Sequence, residues 1–145
     1  MNKKNKNILV VVSHTDDETI GMGGTIANHI KNGDKVFAIP MTDGVSSRDI
    51  KNEAEANKRA VAAEKASNIL GFEWLQGGNF LDNQMDKGSL IEVVKFIENA
   101  KEITKPDIVY THSSSDLNID HRVVSEAVLT AFRPQPNETC KEIRV

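Results

Sequence analysis

Ile8-Leu9-Val10-Val11-Val12-Ser13-His14-Thr15-Asp16-Asp17-Glu18 is the stretch whose reading decides the fold. Five apolar residues in a row, four of them β-branched, match a strand covered on both faces, because a one-sided strand would alternate apolar with polar. The run then ends at once in two hydroxyls, an imidazole and three carboxylates. From Glu18 to Asn32 a helical pattern follows, and Gly33 is a good stop for it.

Outward from this unit the same alternation repeats. Lys35 to Met41 reads as a second strand with Pro40 near its end, and Thr42-Asp43-Gly44 is turn chemistry. The spacing predicts a long helix from about Asp49 to Leu70 with an apolar stripe of Ala54, Val61, Ala62, Ala66, Ile69 and Leu70. Phe72 to Leu75 is a short third strand, and Gly77 to Gly88 is irregular. Ser89 stands as a helix N-cap before the apolar face Leu90, Ile91, Val94 and Ile97, which fades before Pro106. Asp107 to Thr111 is a fourth strand and His112 to Asp120 a polar loop. His121 to Phe132 is a helix with Val124, Ala127, Val128 and Ala131 inward, and Glu142 to Val145 opens a fifth strand. Strict strand–helix alternation implies an α/β fold, a Rossmann-like three-layer sandwich with a mostly parallel sheet, as one domain over residues 1–145. Such sheets bind ligands at the carboxyl ends of their strands, so the loops at His14, Asp43 and His112 carry the functional question.

The bulk numbers narrow the classes. The chain has 145 residues, 39% hydrophobic and 27% charged, a mix that suits one soluble globular domain rather than a disordered segment. No apolar run approaches the ~20 residues of a membrane-spanning helix, so no membrane insertion is expected. A net charge of −3 leaves no footprint for nucleic acid, and Lys3, Lys4 and Lys6 read as a solvated tail. The lone Cys140 cannot close an internal disulfide, which makes the cytoplasm the default compartment. The oligomeric state stays open, a homo-oligomer included.

In Ser13-His14-Thr15-Asp16-Asp17-Glu18, the period of a strand puts His14 and Asp16 on one side and Asp17 on the other. A turn must intervene before His14 and Asp17 can meet. Capping of the following helix by Asp16 or Asp17, with Glu18 in the first turn, accounts for one or two carboxylates. A divalent cation accounts for all of them together with the histidine, since adjacent carboxylates repel and a cation relieves that. Taken alone, the segment leaves both readings open.

A second such loop follows the fourth strand: Thr111-His112-Ser113-Ser114-Ser115-Asp116-Leu117-Asn118-Ile119-Asp120-His121-Arg122. In a doubly wound sheet the first and fourth strands can be neighbours at the switch point, which would bring the two His/Asp loops face to face. His14, Asp17 and His121 then offer two nitrogens and one carboxylate oxygen, the composition of a catalytic zinc site with one position left for water. Other divalent ions suit the same donors. Asp120 or Asp116 is placed to orient a ligand histidine, and His112 reads first as a hydrogen-bonded wall. His29 reads as a surface residue.

Ser13 to Ala27 and Asp116 to Val128, taken together, resemble the two signature segments of the LmbE-like (PIG-L-type) N-acetylglucosaminyl deacetylase family. Thr42 to Arg48 resembles that family's loop after the second strand. Thr15 replaces the usual proline of the first motif and leaves the ligands intact. The resemblance implies zinc-dependent hydrolysis of an N-acetyl group on an amino sugar or its conjugate. It implies His14, Asp17 and His121 as metal ligands, Asp16 as general base and Asp120 as the acidic partner in the second motif. Asn118 stands where many members carry a histidine that supports the oxyanion. An asparagine can donate a hydrogen bond there but cannot carry a proton, which leaves the general acid to His112 or a protonated Asp16. Members usually extend well beyond this length, so the domain reads as incomplete at its C-terminus.

Asp43, Arg48 and His112 are candidate contacts to a small-molecule or glycoconjugate substrate, against the plainer reading of a turn aspartate, a solvated arginine and a wall. Asp82, Asn83 and Asp86 lack the ligand spacing of a calcium loop. Gly21, Gly23 and Gly24 lie beyond the strand-to-helix turn where a nucleotide phosphate would bind, and read instead as permitting close packing of the helix. A receiver-type signalling domain would need an aspartate after the third strand, where Phe72-Glu73-Trp74-Leu75-Gln76 has none. A non-catalytic relative that keeps the metal remains the alternative to an enzyme.

Overall fold

A computed structural model of the chain describes residues 5–47 and 53–145. Its elements are β1 (Asn7–Val12), α1 (Asp17–Lys31), β2 (Lys35–Pro40), α2 (Glu53–Leu70), β3 (Glu73–Trp74), α3 (Leu90–Thr104), β4 (Ile108–Tyr110), α4 (Ile119–Ala131) and β5 (Glu142–Arg144). One sheet holds all five strands in the order β3-β2-β1-β4-β5, every pair parallel. The expected α/β sandwich is therefore present, and β1 lies between β2 and β4 at the switch point.

The alternation of β1 explains its composition. Leu9 and Val11 enter one core with Ile97 of α3 and Val124, Ala127 and Val128 of α4. Ile8, Val10 and Val12 enter the other with Ile26 of α1. Because helices cover both faces, all five apolar side chains are buried, and only Asn7 at the start of the strand is partly exposed.

Three expectations about helices are corrected. In α2 the buried residues are Ala63 and Ser67, whereas Val61 is 49% and Ile69 84% exposed. The helix lies beside the edge strand β3 and closes on it through small side chains, with the Trp74 indole N–H donating to the Ala63 carbonyl at 3.1 Å. Only Leu70 of the expected stripe packs against a core. The Asp49 start of that helix lies outside the described residues. In α3, Val93 faces inward and Ile91 outward, and Ser89 holds the N-cap position without a side-chain cap bond. In α1, a Cβ on Gly21 or Gly24 would meet nothing within 4 Å, and on Gly23 only the Leu70 side chain at 3.7 Å. These glycines do not serve close packing; Met22 among them leaves helical geometry (φ −146°, ψ 19°), a break that poor helix formers permit.

Among the described residues no helix is long and apolar enough to cross a membrane.

Candidate metal centre

The extended path of β1 continues through Ser13, whose carbonyl accepts from the Thr42 amide and hydroxyl at 2.9 and 2.8 Å. The chain then turns. The Asp17 carboxylate folds back so that Oδ2 accepts the His14 amide at 2.9 Å. This is the turn that strand geometry requires, and it brings Asp17 to the side of His14. Asp16 takes the N-cap position of α1 but makes no cap bond; its half-exposed carboxylate faces Arg59 at 3.5 Å. Capping therefore explains neither aspartate.

In the loop after the neighbouring strand β4, Asn118 caps α4: its Oδ1 accepts the Asp120 amide at 2.9 Å, while Asp116 Oδ1 accepts the Asn118 amide at 2.9 Å. This fixes Asp120 and His121 in the first turn of the helix. Asp120 is fully buried and accepts the backbone amides of Asn83 and Met85 at 2.6 and 3.2 Å. It thereby ties α4 to the segment before α3.

Three donor atoms meet between these loops. His14 Nδ1 lies 3.2 Å from Asp17 Oδ2, Asp17 Oδ2 lies 3.3 Å from His121 Nε2, and His121 Nε2 lies 3.4 Å from His14 Nδ1. A tetrahedral ion with ligands at about 2.0–2.1 Å keeps its donors roughly 3.3–3.4 Å apart. The other ring nitrogen of each histidine faces a carboxylate: His14 Nε2 faces Asp82 at 3.0 Å and His121 Nδ1 faces Asp116 at 3.0 Å. Ionised carboxylates only accept, so they hold the imidazole protons on those outward nitrogens. In the neutral rings, Nδ1 of His14 and Nε2 of His121 then present lone pairs toward Asp17. The residues present fit a divalent ion in composition and spacing.

Electrostatics agree. Burial alone would lower the pKa of His14, but hydrogen bonds with Asp120 and Asp17 and the charges of Asp17 and Asp82 outweigh it and raise it to about 10. In the metal-free chain a proton on His14 thus supplies the positive charge that the site draws in. Asp17 lies below the usual carboxylate range despite its burial, held there by bonds from His14 and by the neighbouring histidines. Burial and the proximity of His121 lower His112 to about 4. His112 is accordingly neutral, accepts the Ser13 amide at Nε2 (2.9 Å), and stacks on His121 with ring centroids 3.8 Å apart. It is a wall that sets the plane of His121.

Of the remaining expected residues, Asp43 spends Oδ1 on the Val45 and Ser46 amides and the Ser46 hydroxyl, which shapes its own loop. Arg48 lies outside the described residues. Two buried side chains at or beside the site have no distinctive signal in the sequence. In the sequence Asp82 reads as one acid of a polar loop, and its bond to His14 spans 68 residues of chain. Glu18 was read as a first-turn carboxylate but is fully buried; burial pushes it up, Thr19 donates to Oε1 at 2.5 Å, and among the described residues Oε2 finds no partner. His29, expected on the surface, is mostly buried between Asp34 and Tyr110, at 2.7 and 3.0 Å.

Residues 9–132 match the family described as GlcNAc-PI de-N-acetylase, PIG-L. The chain belongs to this family. Among its relatives, the "Probable N-acetyl-alpha-D-glucosaminyl L-malate deacetylase 2" of Bacillus anthracis is 25% identical, covering 92% of this chain and 62% of its own length. The "Uncharacterized deacetylase YaiS" of Escherichia coli is 29% identical, covering 92% and 71%. The N,N'-diacetylchitobiose deacetylase of Pyrococcus horikoshii, solved with its inhibitor MPG, superposes with a TM-score of 0.78 at 27% identity, over 92% of this chain and 52% of that one. GalB, the 4-carboxy-2-hydroxymuconate hydratase of Pseudomonas putida, shares the fold with a TM-score of 0.71 at 24% identity, over 92% of this chain and 60% of that one. A PIG-L-type fold therefore does not by itself fix the reaction, and the residues in the site must carry the argument.

Proposed function

We propose that this chain is a metal-dependent hydrolase, with zinc the preferred ion, that removes the N-acetyl group from an N-acetylglucosamine-type amino sugar or its conjugate. The observation that supports it most is the triangle of His14 Nδ1, Asp17 Oδ2 and His121 Nε2, with sides of 3.2 to 3.4 Å and two of its three members oriented by outer carboxylates. Membership of a de-N-acetylase family supports the choice of reaction.

When bound, a divalent ion would supply Lewis-acid polarisation of the amide carbonyl and acidify the attacking water. The chain supplies the rest. Asp16 stays outside the triangle and would receive the proton of the water; Asp17, which would be committed to the ion, could not. The Asn118 amide nitrogen is the candidate donor to the developing oxyanion, since Oδ1 is occupied by the cap of α4. Asp120 fixes the position of His14 and of the segment around Asn83. Asp43, Arg48 and His112 are the proposed walls and contacts of the sugar pocket. The compartment proposed is the cytoplasm.

A second reading, metal binding without turnover, is favoured by one observation: the side chain at 118 is an asparagine already engaged in capping. Metal analysis of the purified chain, coupled to acetate release from a panel of N-acetyl sugars, separates the two. One ion per chain with acetate release is the expected result. One ion with no release across the panel favours the second reading, and no ion overturns both.

A further inference from the structure

His14 uses both faces of its ring. Nδ1 belongs to the triangle, while Nε2 lies 3.0 Å from Asp82 Oδ1 and 3.4 Å from Asp120 Oδ2. These two buried carboxylates could in principle form a second cation seat with Nε2. Their other partners argue against it. Asp82 Oδ2 accepts the Ser47 hydroxyl at 2.6 Å and Oδ1 accepts the Asn83 side-chain amide at 3.0 Å. Asp120 accepts two backbone amides. Each carboxylate is thus already surrounded by fixed donors, and what faces them from His14 is one more N–H. A neutral imidazole has one lone pair, so a proton held at Nε2 leaves that lone pair at Nδ1.

Asp82 is itself held. Its backbone amide donates to the Ser46 hydroxyl at 2.8 Å, and that hydroxyl donates to Asp43 Oδ1 at 2.8 Å. The loop after β2 therefore reaches His14 through one carboxylate.

We propose that Asp82, braced by Ser46 and Ser47, is a positioning residue: with Asp120 it keeps the His14 proton on Nε2 and aims the Nδ1 lone pair at the cation seat formed with Asp17 and His121. This rests on the metal reading above but not on acetate release. Outer partners of this kind shift metal affinity about 10–100-fold. The test is zinc affinity and the cobalt(II) absorption spectrum of the full chain and three variants, with thermal unfolding of each metal-free form. Asp82→Ala should bind zinc about 10–100-fold more weakly and alter the cobalt bands. Asp82→Asn, whose Oδ1 can still accept from Nε2, should recover most of the affinity. Ser47→Ala should weaken binding several-fold, and together with Asp82→Asn it decides the matter if Asp82→Ala does not fold. Loss of thermal stability with affinity and spectrum unchanged in the folded variants would overturn the proposal, because it would make Asp82 structural only. Complete loss of metal in both Asp82 variants would overturn it too, because it would make Asp82 a ligand. If the unchanged chain binds zinc and the variants behave as stated but no acetate is released, the deacetylase reading fails and this inference stands. If the unchanged chain binds no metal, both fail.

Discussion

Two histidine–aspartate clusters sit on this sheet, and they are built for different ends. Beyond the carboxyl ends of β1 and β4, His14 and His121 turn protonated nitrogens outward to carboxylates, so that once His14 gives up its second proton two lone pairs and a carboxylate oxygen face one another. Toward the amino ends of β1 and β2, His29 meets Asp34 at one nitrogen and the Tyr110 hydroxyl at the other, and Arg144 donates to that same hydroxyl at 3.0 Å. Each polar atom of the second cluster has a complementary partner, which makes it a clamp between α1, β2 and β4. Burial and pairing look alike in the two places. The difference lies in where the lone pairs end up.

The largest effects should separate the clusters. Asp17→Ala or His121→Ala should abolish stoichiometric metal and, on the proposed function, reduce acetate release to background. His29→Ala should keep the metal and cost about 1–3 kcal/mol of stability, because it removes a hydrogen bond to the buried Asp34 carboxylate. Metal loss in His29→Ala, measured by elemental analysis, would mean that the clusters are not independent. Next, Asp16→Asn should retain the metal while turnover falls about 10²–10⁴-fold, the usual range for a general base. If it loses metal as Asp17→Ala does, the division of labour between adjacent aspartates is wrong.

The first cluster should show a pH response of its own. His14 titrates near 10 in the metal-free fold against 6.5 unperturbed. A raised folded value stabilises fully below pH 6.5 and is lost as pH rises through 10, so the metal-stripped chain should melt lower at pH 10 than at pH 7. His14→Ala should shrink that difference. Zinc affinity should run the opposite way and rise with pH, because the ion must displace the proton; calorimetry in buffers of different ionisation enthalpy would register its release. The smallest effect belongs to the exposed Asp16–Arg59 pair: Arg59→Ala should change stability by less than about 1 kcal/mol.

What could be read from the sequence follows from the range of the interactions involved. β1 announces itself because burial on both faces leaves a continuous apolar run. His14 with Asp17 and Asp120 with His121 stand out because each pair is compressed into a few residues. The register of α2 could not be read the same way. An alanine-rich helix beside a sheet edge has no single obvious stripe, and the choice of Ala63 and Ser67 is made by Trp74 and the close approach of β3. Asp82 was obscured for another reason: its significance is a contact across 68 residues, and locally it is one acid among several. Glu18 reads as ordinary helix-start chemistry, and only the packing of α1 turns it fully inward.

The strict two-sidedness of β1 has a consequence for how this protein can vary. Exchanging valine for isoleucine or leucine within residues 8–12 changes packing by a methyl group or so. Inserting or deleting one residue there would send the strand residues beyond the change to the wrong layer and rotate everything downstream by half a turn of the pleat. Descendants of this chain should therefore tolerate spelling changes in that strand far better than changes in its length.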